Sequence, residues 1–398
     1  MLVAHRRRDL PVLAAAIGVS ALGDWLALLP LNLQLRSMGG SGLVVAALFI
    51  AVWSPAALLA APAGALADRV DRRRLLVAAS LAEAAVAVAL AFAGSAATIL
   101  PLAALLGTFS AVATPAEFSL VPTIVDPAGI RRANGWVETA RYAGFIGGPA
   151  LGGIVAAAGG VKAALLIDAA TFAAVAVAAF SLRPRPVERD AAAPKGRMRD
   201  GITYLFAERG LALVMAAAFA SLLFMTASAP AEVFFAKDVL HTGDAGFGIW
   251  LTAWPLGMAI GAALLGRRMR GDLAAAALGA IMLQGLGLAG PAIVVTLAFS
   301  IASFFVGGLA HGAKNVAVRT LLHERVPAHL HGRAYAAYNG LRNSAELVAM
   351  LLGGVLVTAV GSRATLLVAG VVPALVGAGC LVAYLRVRAR PAPVEAGS

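Results

Sequence analysis

Stretches of about twenty apolar residues follow one another along this chain with short polar breaks, and that pattern leaves few folds open. In hydrocarbon every backbone N–H and C=O must be satisfied inside the protein, so a stretch of this length forms a membrane-crossing helix. Twelve can be counted. The first six cover residues 10–35, 42–67, 74–93, 96–118, 131–158 and 162–182. The second six cover 210–236, 245–266, 273–290, 292–320, 332–359 and 363–385. Gly94-Ser95 separates the third from the fourth, and Gly290-Pro291 the ninth from the tenth, where the apolar run would otherwise be continuous. With 61% hydrophobic residues, 13% charged and a mean hydropathy of +0.87, the chain has too little polar surface to coat a water-soluble globule.

The charges test that count. With the N-terminus inside, the segments assigned to the cytoplasm hold twenty-three Lys and Arg, among them Arg6–Arg8, Arg72–Arg74 and six between Arg183 and Arg199. The opposite side holds four: Arg36, Lys162, Lys237 and Arg363. An odd number of crossings would scramble this positive-inside bias, so both termini are expected in the cytoplasm. The same topology accounts for the net charge of +12, because the basic residues form short clusters between apolar stretches and no basic face suited to nucleic acid. The stretch from Leu10 to Leu35 is too long for a signal peptide core and reads as an uncleaved first helix. Cys380 is the single cysteine, which excludes a disulfide framework and a thiol-based metal site. The Pro-rich, charged segment after residue 182 divides the spans six and six. The expected domains are therefore 1–182, a cytoplasmic linker at 183–209 with an interfacial helix near Gly201–Gly210, and 210–398. At an offset of 205 residues the halves repeat weakly: Val121-Pro122 falls on Val326-Pro327, Asn134-Gly135 on Asn339-Gly340, and Gly148 on Gly353.

Within the fifth span, Gly144, Gly148 and Gly152 stand four residues apart, with Pro149 between them, Gly153 following and Gly135 nine residues before. On a helix the three stack on one face as a groove that another backbone can enter. Each would cost about 1 kcal/mol against Ala in a soluble helix, so the stripe points to packing in a membrane. Between the second and third spans the chain reads Gly64-Ala65-Leu66-Ala67-Asp68-Arg69-Val70-Asp71-Arg72-Arg73-Arg74.

These two strings resemble signatures of the major facilitator superfamily. The glycine string is similar to the antiporter signature in the fifth helix of its exporters. The loop is similar to the family's cytoplasmic signature between helices two and three, with Asp71 where a second Gly is usual. Over its whole length the chain looks like the exporter branch that includes macrolide-efflux and enterobactin-exporter relatives. The resemblance implies an all-α polytopic membrane protein of twelve helices in two pseudo-symmetric six-helix bundles. It also implies that Asp68 latches the bundles on the cytoplasmic side, and that Arg72 bridges it to an acid at the end of helix four, where Glu117 lies. The loop residues Gly64, Arg69 and Arg73 belong to the same gate. Many proton-coupled exporters carry an Arg within helix four, and this chain has none between Leu102 and Ser119.

Ionisable residues inside the spans cost at least ~2.5 kcal/mol each at mid-bilayer and mark function. Asp24, in the middle of the first span, heads the candidates. A carboxyl desolvated at that depth exchanges protons near neutral pH or binds a cation. Glu117, Glu232, Lys314 and Arg319 complete the candidate proton and substrate cavity. Lys314 and Arg319 serve as counter-charges or hold an anionic substrate, and Arg319 alternatively snorkels to the cytoplasmic surface. Asp168 is expected near the outer interface beside Lys162, whereas Glu83 has no assigned partner. Glu138 with Arg141, and Arg342 with Glu346, are spaced for pairing along their own helices.

The function expected is a secondary active transporter of the cell membrane that exports an amphipathic or lipophilic small molecule by alternating access, as a monomer and with protons as the coupling ion. The alternatives are an importer or symporter of a small polar solute, which the glycine string argues against, and a polytopic membrane enzyme. An enzyme would need acidic or histidine clusters in large loops, and His329-Leu330-His331 beside Pro327 is poor metal-site geometry. No Gly-rich nucleotide loop is present, so no cofactor, metal or ATP-driven step is expected.

Overall fold

The computed structural model describes residues 2–59, 62–63, 66, 70–126, 129–182, 203, 206, 208–265, 271–326 and 331–389. Gly64, Asp68 and Arg69 of the expected gate lie outside the described residues, as does most of the 183–209 linker. Among the described residues all regular structure is helical: α1 (Leu2–Ser37), α2 (Gly42–Leu58), α3 (Arg72–Ala91), α4 (Ala96–Ile124), α5 (Ile130–Ser181), α6 (Arg209–Phe234), α7 (Asp244–Ile260), α8 (Leu273–Ile293), α9 (Leu297–Arg325) and α10 (His331–Ala389). Single π-helical turns extend α6 over Phe235–Val239 and α7 over Gly261–Leu265. Nine of the described helices are long and apolar enough to cross a membrane, and Gly42–Leu58 is a shorter apolar helix. Two of the nine, Gly135–Ser181 and Leu341–Ala389, have 47 and 49 residues. At 1.5 Å per residue that is roughly 70 Å, twice the hydrocarbon thickness of about 30 Å. Each breaks once, at Gly160 (φ 71°) and Gly361 (φ 82°), in a backbone region that glycine enters without steric cost.

Gly94-Ser95 marks a corner, where Ser95 and Thr98 form a capping box on α4. Gly290-Pro291 does not: α8 continues through both to Ile293, and the chain turns at residues 294–296. Gly290 is needed for packing instead, since a Cβ there would strike the Ser303 hydroxyl of α9. Thr296 then caps α9, its hydroxyl accepting from the Phe299 N–H at 3.3 Å.

The described contacts divide the chain into two compact units. The first comprises Met1–Ala193 with Glu232–Thr252 and Gly354–Ala359. Its core joins Leu13 and Ile17 of α1 to Leu76 of α3, Leu120 of α4 and Val137 and Val175 of α5. The glycine stripe of α5 closes on α1. A Cβ on Gly144 would meet the Gly18 carbonyl oxygen and approach Leu22 N to 2.7 Å, one on Gly148 would sit 2.5 Å from Trp25 Cβ, and one on Gly152 3.0 Å from Leu26 Cα. Gly18 answers from the other side, 2.9 Å from the Ala140 carbonyl oxygen by the same measure. Gly153 faces α7, against the Asp244 carbonyl and 3.1 Å from Gly248 Cα, whereas Gly135 faces open space. In the same unit Arg36 pairs with Asp238, and Lys237 with Asp244 at 2.5 Å.

The second unit comprises Pro194–Ala231, Ala253–Gly353 and Val360–Ser398. Leu211, Val214 and Met215 of α6 pack there with Leu278 and Ile281 of α8 and Leu321 and Leu322 of α9. Asp272 caps α8, accepting from the Ala274 and Ala275 N–H groups at 3.1 Å. Partial burial works to raise its carboxyl, but the Ala275 N–H, the Tyr384 hydroxyl and the Arg388 guanidinium outweigh it and hold it below the usual range.

The seam predicts a contrast within one string of glycines. Gly148→Leu should lower the yield of monodisperse protein several-fold, because it forces α1 and α5 apart, whereas Gly135→Ala should stay within about twofold of wild type.

Candidate functional site

The interior of the first unit is acidic. Asp24 and Glu117 are brought to one cavity by α1 and α4, and Glu83 joins them from α3. Ser80 and Ser110 add hydroxyls, and Arg141 of α5 is the one cation on the wall. The seam between α1 and α5 explains the convergence. Ala140 sits on Gly18, so Arg141 follows directly into the space flanked by Ile17 and Ala21. The cavity measures about 30 Å³. A water needs roughly 10–15 Å³ on that scale, so about two waters or a small cation fit.

Arg141 donates to Glu117 Oε2 at 2.9 Å, whereas Glu138 on its own helix stands 3.9 Å away. The guanidinium thus serves two acids, keeping the local pair expected along the helix and adding a shorter tertiary one. Arg72 is engaged elsewhere, donating to the Ser119 carbonyl oxygen at 3.1 Å, and Arg73 donates to the Phe180 carbonyl oxygen. The Glu117 carboxylate is thus held by Arg141 and not by Arg72. The arginine absent from α4 is supplied to α4 by its neighbour.

Three carboxyls in this region have no basic side chain in ion-pair contact among the described residues: Asp24, Glu83 and Asp168. Asp24 lines the cavity and is itself exposed. Glu83 is only 3% exposed and Ser80 1%, and the Ser80 hydroxyl has no hydrogen-bond partner. Asp168 is fully buried behind Gly23, where a Cβ would fall 2.5 Å from Asp168 Oδ1. The Thr171 hydroxyl lies 3.3 Å from that oxygen, and Oδ2 has no partner. Asp168 is therefore no interfacial group beside Lys162, whose ammonium lies 4.1 Å above the Phe92 ring. Glu83, which had no assigned partner, is an interior group of the cavity wall.

The remaining candidates are dispersed. Glu232 is half-buried in the last turn of α6, Lys314 is buried in α9 and Arg319 is exposed one turn and a half further on. Arg342 pairs locally with Glu346 at 2.9 Å. Among the described residues no cluster of His, Cys, Asp or Glu has the geometry of a metal site.

Helices of this length and apolarity, with carboxyls turned into their interior, are those of a polytopic membrane protein. The profile described as Major Facilitator Superfamily matches residues 13–350 and 214–398. The chain belongs to that family; it is a multi-pass membrane transporter acting on small molecules, and not an enzyme. It is 26% identical to the "Uncharacterized MFS-type transporter YfiS" of Bacillus subtilis (strain 168), over 94% of this chain and 92% of that one. To the "Multidrug efflux pump Tap" of Mycobacterium tuberculosis (strain ATCC 25618 / H37Rv) it is 29% identical over 89% of this chain and 86% of the other. To the "Multidrug efflux pump LfrA" of Mycolicibacterium smegmatis it is 36% identical over 37% of this chain and 28% of that one. The same fold is seen in a bacterial homolog of the human lysosomal transporter Spinster, with a TM-score of 0.72, 15% identity and coverage of 98% and 99% of the two chains. The nucleoside transporter NupG also shares it, with a TM-score of 0.71, 14% identity and coverage of 96% and 100%.

Removing one partner of a largely buried ion pair leaves a charge uncompensated, whereas removing both does not. Arg141→Gln should therefore lower the melting temperature in detergent by a few degrees, and Arg141→Gln with Glu117→Gln should recover most of the loss. Additive losses in the double variant would show that the 2.9 Å contact is not a coupled pair.

Proposed function

We propose that this transporter exports an amphipathic or lipophilic small molecule by alternating access, and that the acidic cavity of the first unit holds the protons that drive it. The observation that carries the reading is a cavity of about 30 Å³ whose carboxyls outnumber its single cation. An unpaired carboxylate in a membrane interior is costly, and the smallest group that relieves it is a proton. Asp24, itself exposed, exchanges with water; Glu83 lies behind it. Arg141 competes with protons for Glu117, so its release and return couple the charge state of the cavity to movement of α5 against α4.

Export is favoured over import by the two efflux-pump relatives, Tap and LfrA. The proposed frame is twelve crossings in two six-helix bundles, 1–182 and 210–398, with the 183–209 linker and both termini in the cytoplasm of a cell-membrane monomer. In that frame Asp68 with Gly64, Arg69, Arg72 and Arg73 gates the cytoplasmic side.

Coupling requires that a proton and the substrate exclude one another. In proteoliposomes under a pH gradient, tested with a panel of lipophilic dyes, Asp24→Asn should lose uphill efflux at least tenfold while downhill exchange survives. Undiminished uphill efflux in Asp24→Asn at several pH values would remove Asp24 from coupling and move the role to Glu83, Glu117 or Glu232.

A further inference from the structure

The interior of the second unit carries the opposite sign. Lys314 is 4% exposed on α9, and it makes no ion pair with any carboxylate among the described residues. His311, one turn earlier on the same face, is 7% exposed, and its Nδ1 has no hydrogen-bond partner. The two are set in place by a second glycine seam. Cβ atoms on Gly308 and Gly312 of α9 would strike the Trp254 and Met258 carbonyl oxygens of α7, and a Cβ on Gly261 would strike that of Leu309. With α9 pressed on α7 in this way, the Trp254 ring stands edge-on to His311 at 5.9 Å and to Phe304 at 5.5 Å. Glu346 is taken by Arg342 at 2.9 Å.

We infer that Lys314 and His311 form a binding site for the acidic group of an organic anion, with the half-buried Trp254 ring beside His311 meeting its apolar body. A buried ammonium without a counter-ion is a standing cost, and a buried imidazole nitrogen without a partner adds to it. A carboxylate satisfies both at once: Nζ donates to one oxygen and the imidazole N–H to the other, with charge-assisted bonds in a dry site. An inorganic anion fits less well, because it would desolvate beside the Trp254 ring without an apolar body to set against it. The site sharpens the proposed function from an amphipathic molecule to an amphipathic acid. It rests on the small-molecule reading, but not on the direction of transport.

The test is binding of 1-pyrenebutyrate and of its uncharged amide to the purified full chain, followed by pyrene fluorescence. Wild type should prefer the acid at least tenfold. Lys314→Gln should erase the preference while leaving the amide affinity within twofold, Lys314→Arg should keep most of it, and His311→Ala should reduce it several-fold. Equal affinity for acid and amide in wild type, no binding of either, or an intact preference in Lys314→Gln would each overturn the site. If Lys314→Gln does not fold, loss of the preference in His311→Ala with the amide bound normally supports the site, and its retention overturns it. Preference for the acid without outward transport of it would contradict the export reading and leave the site standing.

Discussion

The bare contact between α1 and α5 is the constraint on which the first unit depends. Gly144, Gly148 and Gly152 bring backbone to backbone, with Gly18 completing the seam from α1. In a bilayer no hydrophobic force drives helices together, so close dispersion contact of this kind is what holds them. The seam also fixes rotation. One face of α1 carries Gly18 and Leu22 into the groove, and the face beside it carries Ile17, Ala21 and Asp24 to the cavity. On α5 the residue after Ala140 is Arg141. A single packing surface thereby decides which charged groups meet.

The charges then follow a simple economy of contacts. Arg141 is committed to Glu117, which leaves Asp24, Glu83 and Asp168 without a basic partner in contact among the described residues. The seam on α9 and α7 does the same for a cation, holding Lys314 and His311 among aromatic rings. Neither arrangement maximises stability, since a protein selected for that alone would pair or remove such groups. Both fit the proposed cycle, in which a proton and a small-molecule cargo arrive and leave.

Much of this was legible in the sequence because it rests on local rules. Apolar stretches of helix length, Gly94-Ser95 and the glycine stripe each carry their own physical meaning, and Asp24 announces itself by its depth in a span. Tertiary partnership was not legible. Arg141 has Glu138 three residues away, and nothing in that spacing says that Glu117 is closer in space. Asp168 was misjudged because a helix can be peripheral and still turn one residue inward, and the spacing around Glu83 named no partner for it. One signal was available: the four-residue stripe of Gly144, Gly148 and Gly152 extends back to Ala140, which puts Arg141 beside the packing face. The corner at residues 294–296 was hidden by Gly290-Pro291, whose glycine serves packing against Ser303 and not a turn.

The central claim is that the acidic cavity exchanges protons against substrate, and proton release on binding tests it most directly. Purified protein in weakly buffered detergent, with a pH indicator, is titrated with the dye that the wild type transports fastest. The account predicts an acidification that saturates with binding near neutral pH and disappears in Asp24→Asn. Saturable binding of the dye with no proton release at any pH across the neutral range would contradict it.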